Sequence, residues 1–77
     1  MRKSVDEKAI QRLDLQMKRA SYIADREEAV VNEAIDRESA KRWHEAGNDV
    51  RNIEHRDKAN AALKEIKRLD ALIAETK

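Results

Sequence analysis

Apolar residues recur every three or four positions along the first 46 residues, with charged residues between them. Their mean spacing of about 3.6 residues is the period of an α-helix, so they form a stripe on one helix face. The stripe consists of Ile10, Leu13, Met17, Ala20, Ala24, Val31, Ile35, Trp43 and Ala46, with interruptions at Glu28 and Ser39. The pattern predicts a long helix over about residues 4–46, which begins with Ser4-Val5-Asp6-Glu7 as a capping box.

A second apolar stripe follows a sequence that is typical of a helix end. Gly47 is the only glycine in the chain. Glycine adopts the left-handed conformation that ends a helix, and Asn48 or Asp49 can cap the next helix. The second stripe consists of Val50, Ile53, Ala59, Ala62, Leu63, Ile66, Leu69, Leu72 and Ile73. The sequence therefore predicts an all-α fold with one domain, residues 1–77: a helical hairpin with its turn at Gly47-Asn48 and a second helix over about residues 49–75.

The main alternative to a hairpin is a three-helix bundle. The sequence Asp25-Arg26-Glu27-Glu28 also fits a capping box, so the first helix could break near residues 22–25. Against a break, no glycine, proline or asparagine lies there, and the neighbouring alanines favour a continuous helix. We therefore expect one long first helix.

The two predicted helices differ in length, and the difference predicts a surface for association. With a turn near residue 48, Leu63 comes level with residues 31–35, and residues 4 to about 19 overhang the end of the second helix. An exposed apolar stripe of this length is typical of a binding surface. We expect the hairpin to self-associate into a helical bundle, most simply as a dimer, or to bind another protein. The predicted interface residues are Ile10, Leu13, Met17, Val31, Ile35 and Trp43.

Trp43 is the only tryptophan and has two interpretations. As a structural residue, it would close the turn end of the hairpin by packing against Val50 and Ile53. As a binding residue, it would be an interface hot spot beside Arg42, since tryptophan and arginine dominate interface energetics. Both interpretations remain open at this point.

Charge is distributed unevenly along the first predicted helix. Residues 1–20, the basic arm, have six basic and three acidic side chains, a net charge of +3. Residues 21–40, the acidic middle, have two basic and six acidic side chains, a net charge of −4. An antiparallel neighbour could place its basic arm along the acidic middle, because opposite potentials favour encounter and set the register. The alternative is that these charges are solvated and form i,i+4 ion pairs within the helix.

The basic arm also predicts an alternative function, that of a dimeric helical hairpin that binds nucleic acid. A symmetric dimer would offer two such arms to the phosphate backbone. The candidate contacts are Arg2, Lys3, Lys8, Arg12 and Arg19. Acidic residues lie between them and the net charge of the chain is only +1, which weakens this interpretation.

Composition gives little support for catalysis or metal binding. The chain has no cysteine, which excludes a disulfide framework and the cysteine-rich zinc modules. His44 and His55 flank the turn and could bind zinc together with Glu45 or Glu54, but they lack the spacing of a metal motif, and surface histidines are the simpler interpretation. A single glycine excludes a glycine-rich phosphate loop. We therefore predict no enzyme activity, no metal, no cofactor and no small-molecule substrate.

The location that we expect is the cytoplasm. No apolar run approaches the roughly 20 residues that cross a bilayer, and the first residues lack the apolar stretch of a secretory signal. Taken together, the sequence predicts a small helical protein that acts by binding, as an adaptor, inhibitor or scaffold. Phages and plasmids often use helical proteins of this size in such roles.

Overall fold

The computed structural model describes the backbone of residues 2–76 and the side chains of residues 6–76. This part of the chain forms two α-helices, α1 (Arg2–Glu45) and α2 (Asp49–Glu75). The helices pack against each other along the length of α2 and form a rod with extents of 69 × 14 × 14 Å. The prediction of an all-α helical hairpin is confirmed.

The turn between the helices has the hydrogen bonds of a Schellman motif. Gly47 has a φ of 76°, and its N–H donates to the carbonyl oxygen of His44 at 3.0 Å. The N–H of Asn48 donates to the carbonyl oxygen of Trp43 at 2.9 Å. These bonds satisfy carbonyl groups that the end of α1 leaves free. The side chain of Asn48 then caps α2 by accepting a bond from the N–H of Arg51 at 3.1 Å.

Helix α1 is continuous, so the three-helix bundle with a break near residues 22–25 is wrong. Asp25 lies inside the helix, and the half-buried side chain of Arg26 forms an ion pair with Asp70 of α2. Without glycine or proline in this segment, nothing interrupts the backbone hydrogen bonds. At the other end, α1 begins at Arg2, so Ser4 lies within the helix. The predicted capping box depends on the Ser4 side chain, which lies outside the described residues.

The contact between α1 and α2, here called the seam, is formed by positions that alternate in steps of three and four. Each of these side chains is buried or half-buried, and only the opposite helix can cover it. The mean step of about 3.5 residues is that of a coiled coil. On α1 the seam consists of Arg19, Tyr22, Arg26, Ala29, Glu33, Asp36, Ala40 and Trp43. On the other side it consists of Asn52, His55, Ala59, Ala62, Ile66, Leu69 and Ile73 of α2 and of Thr76, the residue that caps α2.

The seam contains a small core and several polar contacts. Among the described residues, the buried apolar side chains are Ala29, Ala40, Ala59 and Leu69. Small side chains let two helices approach closely, since the distance between helix axes depends on the residues at the contact. The approach is close enough for the side chain of Asn52 to donate to the carbonyl oxygen of Ala40 at 2.7 Å.

The seam includes five of the nine residues of the predicted apolar stripe of α2, but only Trp43 of the predicted stripe of α1. Val31 and Ile35 are 55% and 57% exposed, and Leu63 is 40% exposed. The predicted register agrees with the contacts Arg37–Asn60 and Arg26–Asp70, but Val31 and Ile35 do not face the seam. The reason is geometric: Val31 lies two residues from the seam positions Ala29 and Glu33, and two residues correspond to a rotation of about 200° around the helix.

Candidate interaction surface

The side of α1 that faces away from α2 carries a row of large apolar side chains. Ile10, Leu13, Met17, Val31 and Ile35 have exposed fractions between 55% and 67%. We call these five residues the outer stripe. All five are predicted interface residues, and the hairpin leaves them accessible to a partner.

Small and acidic residues separate the two halves of the outer stripe. Ala20 and Ala24 continue the stripe beyond Met17 and are exposed. Glu27 and Glu28 follow, also exposed, before the stripe resumes at Val31. The outer side of α1 is therefore apolar at both ends of the stripe. Between these ends it carries small side chains at Ala20 and Ala24 and then acidic side chains at Glu27 and Glu28.

The first half of the outer stripe lies on a part of α1 that α2 does not reach. Every residue from Asp6 to Lys18 is exposed, and Arg19 is the first half-buried residue. The overhang from Arg2 to Lys18 is about 25 Å long at 1.5 Å per residue. A shallow, mainly apolar depression on the overhang is lined by Ala9, Ile10, Leu13, Asp14 and Met17.

Trp43 lies at the turn end of the seam and is half-buried. It does not close the hairpin against Val50 and Ile53, because these side chains are 69% and 49% exposed. Instead, the guanidinium group of Arg51 lies over the indole ring, 4.8 Å from its centroid, in a cation–π contact. The rest of the indole lines a shallow surface depression with Arg42, so Trp43 has both a structural contact and an accessible face.

The basic residues of the overhang fall mainly on the side that continues the seam. Lys8, Arg12 and Arg19 occupy positions that extend the alternation of steps of three and four, and Lys8 and Arg12 are exposed. Lys18 forms an ion pair with Asp14 at 3.3 Å. The side chains of the other two candidate phosphate contacts, Arg2 and Lys3, lie outside the described residues.

The two histidines have different surroundings. His55 lies in the seam, where its Nδ1 is 3.0 Å from a carboxylate oxygen of Asp36, and both side chains are largely covered. His44 is exposed. No group of three histidine, cysteine or acidic side chains suited to a metal ion occurs among the described residues. His55 therefore links the two helices through Asp36.

Both side chains are more than 40% exposed in three ion pairs that form within a single helix, Asp14–Lys18, Glu38–Arg42 and Glu65–Arg68. The Arg68 guanidinium group bonds to the Glu65 carboxylate, and this hydrogen bond lowers the pKa of Glu65 below its ordinary value of 4.5. Exposed pairs of this kind contribute little to stability.

Neither helix of the described chain contains an apolar stretch long enough to cross a membrane.

Comparison with known proteins identifies no relative. No protein-family model matches the chain, and no curated protein or solved structure matches it. The outer stripe therefore has to be interpreted from its own geometry and chemistry.

Sequence reasoning found the outer stripe but assigned the wrong residues of α1 to the hairpin contact. A signal for the seam exists: Ala29, Glu33, Asp36 and Ala40 follow the same alternation of steps as the stripe of α2. Because these are small or acidic residues, a search for large apolar side chains overlooks them. Of the two acidic positions, Asp36 contacts His55 of α2, whereas Glu33 pairs with Arg37 of its own helix.

Proposed function

We propose that this protein is an interaction module, an adaptor, inhibitor or scaffold, that binds another protein helix through the outer stripe of α1. One observation carries the proposal. Large apolar side chains are exposed in a row along α1, while the buried apolar side chains among the described residues are those of three alanines and one leucine. Covering one outer-stripe side chain removes on the order of 100 Å² of apolar surface from water, about 2.5 kcal/mol at 25 cal/mol per Å².

The proposed mechanism is occlusion or bridging. A straight helix with an apolar row fits a helical groove, as in other helix-in-groove complexes. The overhang extends this row beyond the hairpin, so a partner can contact the first half of the outer stripe without meeting α2. We assign this activity to the cytoplasm, because the sequence has none of the cysteines with which small secreted domains are usually stabilised.

The test compares two double variants that add the same charge at neighbouring positions. Leu13→Glu/Val31→Glu places two carboxylates in the outer stripe. Gln11→Glu/Asn32→Glu places them at exposed polar positions that are close in sequence but outside the outer stripe. Helicity of both is checked by circular dichroism, and association is measured by light scattering and by quantitative crosslinking in the native cells.

We expect the outer-stripe variant to lose at least tenfold in association, whether with a second copy or with a different protein, while the control variant associates like the wild type. Equal association of both variants would contradict the proposed function, because a charge in the outer stripe would then have no more effect than a charge beside it.

The second candidate function is nucleic-acid binding by the overhang. The observation in its favour is that Lys8 and Arg12 lie on the seam-facing side of the overhang, beyond the end of α2, and that Arg19 follows at the first position of the seam. Phosphate contacts release counterions, so affinity for a nucleic acid would fall steeply with salt. Docking through Leu13 and Val31 would persist at high salt. Fluorescence anisotropy with labelled RNA and DNA at two salt concentrations separates the two functions.

A further inference from the structure

We propose that a second copy of this chain covers the outer stripe, with the two α1 helices antiparallel and a two-fold axis level with Tyr22, on the side of α1 that faces away from the seam. The inference rests on the proposed function, since it takes the outer stripe as the docking surface and names its occupant. Four features support it: the spacing of the stripe, the residues at its centre, its charge and its area.

The spacing of the outer stripe is nearly symmetric about Tyr22. Leu13 and Val31 lie nine residues on either side of this position. Ile10 lies twelve residues before it, and Ile35 lies thirteen after it. Met17, five residues before it, is the exception, because it comes level with Glu27. In an antiparallel pair with its axis there, the first half of one outer stripe lies level with the second half of the other. A two-fold interface needs this self-complementarity, because each patch contacts its own copy.

The centre of the stripe is suited to a close approach of two helices. Ala20 and Ala24 lie two residues on either side of Tyr22, and both are exposed. Side chains of this size let helix axes approach to the lower end of the usual range. Ile23, which is 38% exposed, flanks these alanines and would meet its own copy near the axis.

The charges along α1 are distributed so that an antiparallel pair brings opposite charges together. The antiparallel arrangement places the basic arm, with a net charge of +3, along the acidic middle of the other copy, with a net charge of −4. A parallel pair would instead place like charges side by side. Opposite potentials favour encounter in one register, and like charges disfavour the competing one.

The area of the outer stripe agrees with a dimer. Five side chains that are more than half exposed offer on the order of 100 Å² each, so two copies bury about 1,000 Å² through them, near the lower limit of a specific interface. Ala20, Ala24 and Ile23 add to this area. The contact from Ile10 to Ile35 is about 40 Å long.

Spin labels at three exposed positions test the arrangement, using the full chain, which has no native cysteine. The single variants are Gln11→Cys, Ser21→Cys and Asn32→Cys, and pulsed dipolar spectroscopy measures the distance between copies. In the proposed dimer, Ser21 lies near the axis and gives a short distance, below about 20 Å. The axial separations for Gln11 and Asn32 are about 33 Å and 30 Å at 1.5 Å per residue. Dilution with unlabelled chain must remove each signal.

Other arrangements give other patterns, and each would overturn the inference. A parallel dimer gives three short distances. A dimer formed by the overhangs alone gives its shortest distance at Gln11 and one above about 50 Å at Asn32. A monomer gives no signal between copies.

The failure of this inference and the failure of the proposed function have different signatures. If the protein is a monomer, the antiparallel dimer is wrong. The proposed function still stands in that case if Leu13→Glu/Val31→Glu loses its binding to a different protein. If that double variant keeps the wild-type distances, the dimer does not use the outer stripe and the inference is wrong. The proposed function is wrong as well only if the double variant also keeps its binding to a different protein.

Discussion

Leucine-to-alanine substitutions at two positions separate the stability of the hairpin from association through the outer stripe. Leu69 is 1% exposed and is the only large side chain among the fully buried residues of the described chain. Leu13 lies on the overhang and is 57% exposed. The same atoms are deleted in both variants, so any difference in effect arises from their surroundings.

The expected loss for Leu69→Ala is about 2.5 to 3 kcal/mol of unfolding free energy. Three carbon atoms leave a fully covered site, which corresponds to about 2.4 kcal/mol at 0.8 kcal/mol per methylene group. A cavity adds to this, but the seam is open to solvent along both edges and can partly collapse, which keeps the value near the lower end of the range for such substitutions. For Leu13→Ala in the monomer, we expect a change within about 0.5 kcal/mol, because most of the side chain is already in water.

The assay is urea unfolding followed by circular dichroism at 222 nm, at a low and a high protein concentration. Leu69→Ala is expected to lower the midpoint at both concentrations. Leu13→Ala is expected to lower it only at the concentration where the protein associates, since a bound partner stabilises the folded state by mass action. Equal losses for both variants at the low concentration would show that the overhang is packed in the monomer and would refute the assignment of the seam.

Three further measurements test other parts of the hairpin. Gly47→Ala is expected to cost about 1 to 2 kcal/mol of unfolding free energy, because φ is 76° and nothing lies within 4 Å of an added Cβ, so the cost is that of the left-handed backbone alone; a neutral effect in urea unfolding would contradict this. In a double-mutant cycle, His55→Leu alone is expected to destabilise more than His55→Leu combined with Asp36→Leu, since the single change leaves a covered carboxylate without its partner; simple additivity would speak against the contact. The pKa of Glu65, measured by NMR titration, is expected below 4.5 and to rise towards it in Arg68→Gln. The ion pair of Glu65 with Arg68 therefore stabilises the fold at pH values above 4.5, and this contribution is lost as the pH falls through the lowered pKa of Glu65. An unchanged pKa in Arg68→Gln would show that the bond is absent in solution.

The hairpin could be predicted from the sequence because its signals are local. The glycine at position 47 and the asparagine that follows it end one helix and begin the next, and this needs only the residues of the turn. The bounds of α1 differ from the prediction by one or two residues at each end, within the usual spread of helix ends. The continuity of α1 also followed from composition, since no residue near Asp25 breaks a helix.

The face that α1 turns towards α2 could not be predicted in the same way, because it depends on pairing between distant residues. Two stripes compete on α1: one of large apolar residues and one of small and polar residues. Hydrophobicity favours the first. The second fits α2, because Ala29 and Ala40 allow a close approach and Asp36 meets His55. The row of large apolar residues then remains exposed. Hydrophobicity was therefore enough to find this row, but not to show that it lies outside the contact between the two helices.

The rod shape of the hairpin affects how its size is measured. The radius of gyration of this chain is 18.9 Å. A compact protein of 77 residues would have a radius of gyration of about 11.5 Å, and a compact protein needs about 290 residues to reach the value of this chain. A sizing column calibrated with globular standards responds to dimensions rather than mass, so a single hairpin elutes early and resembles an oligomer. The number of copies in solution is therefore better obtained from scattering intensity or from sedimentation equilibrium, which depend on molar mass and not on shape.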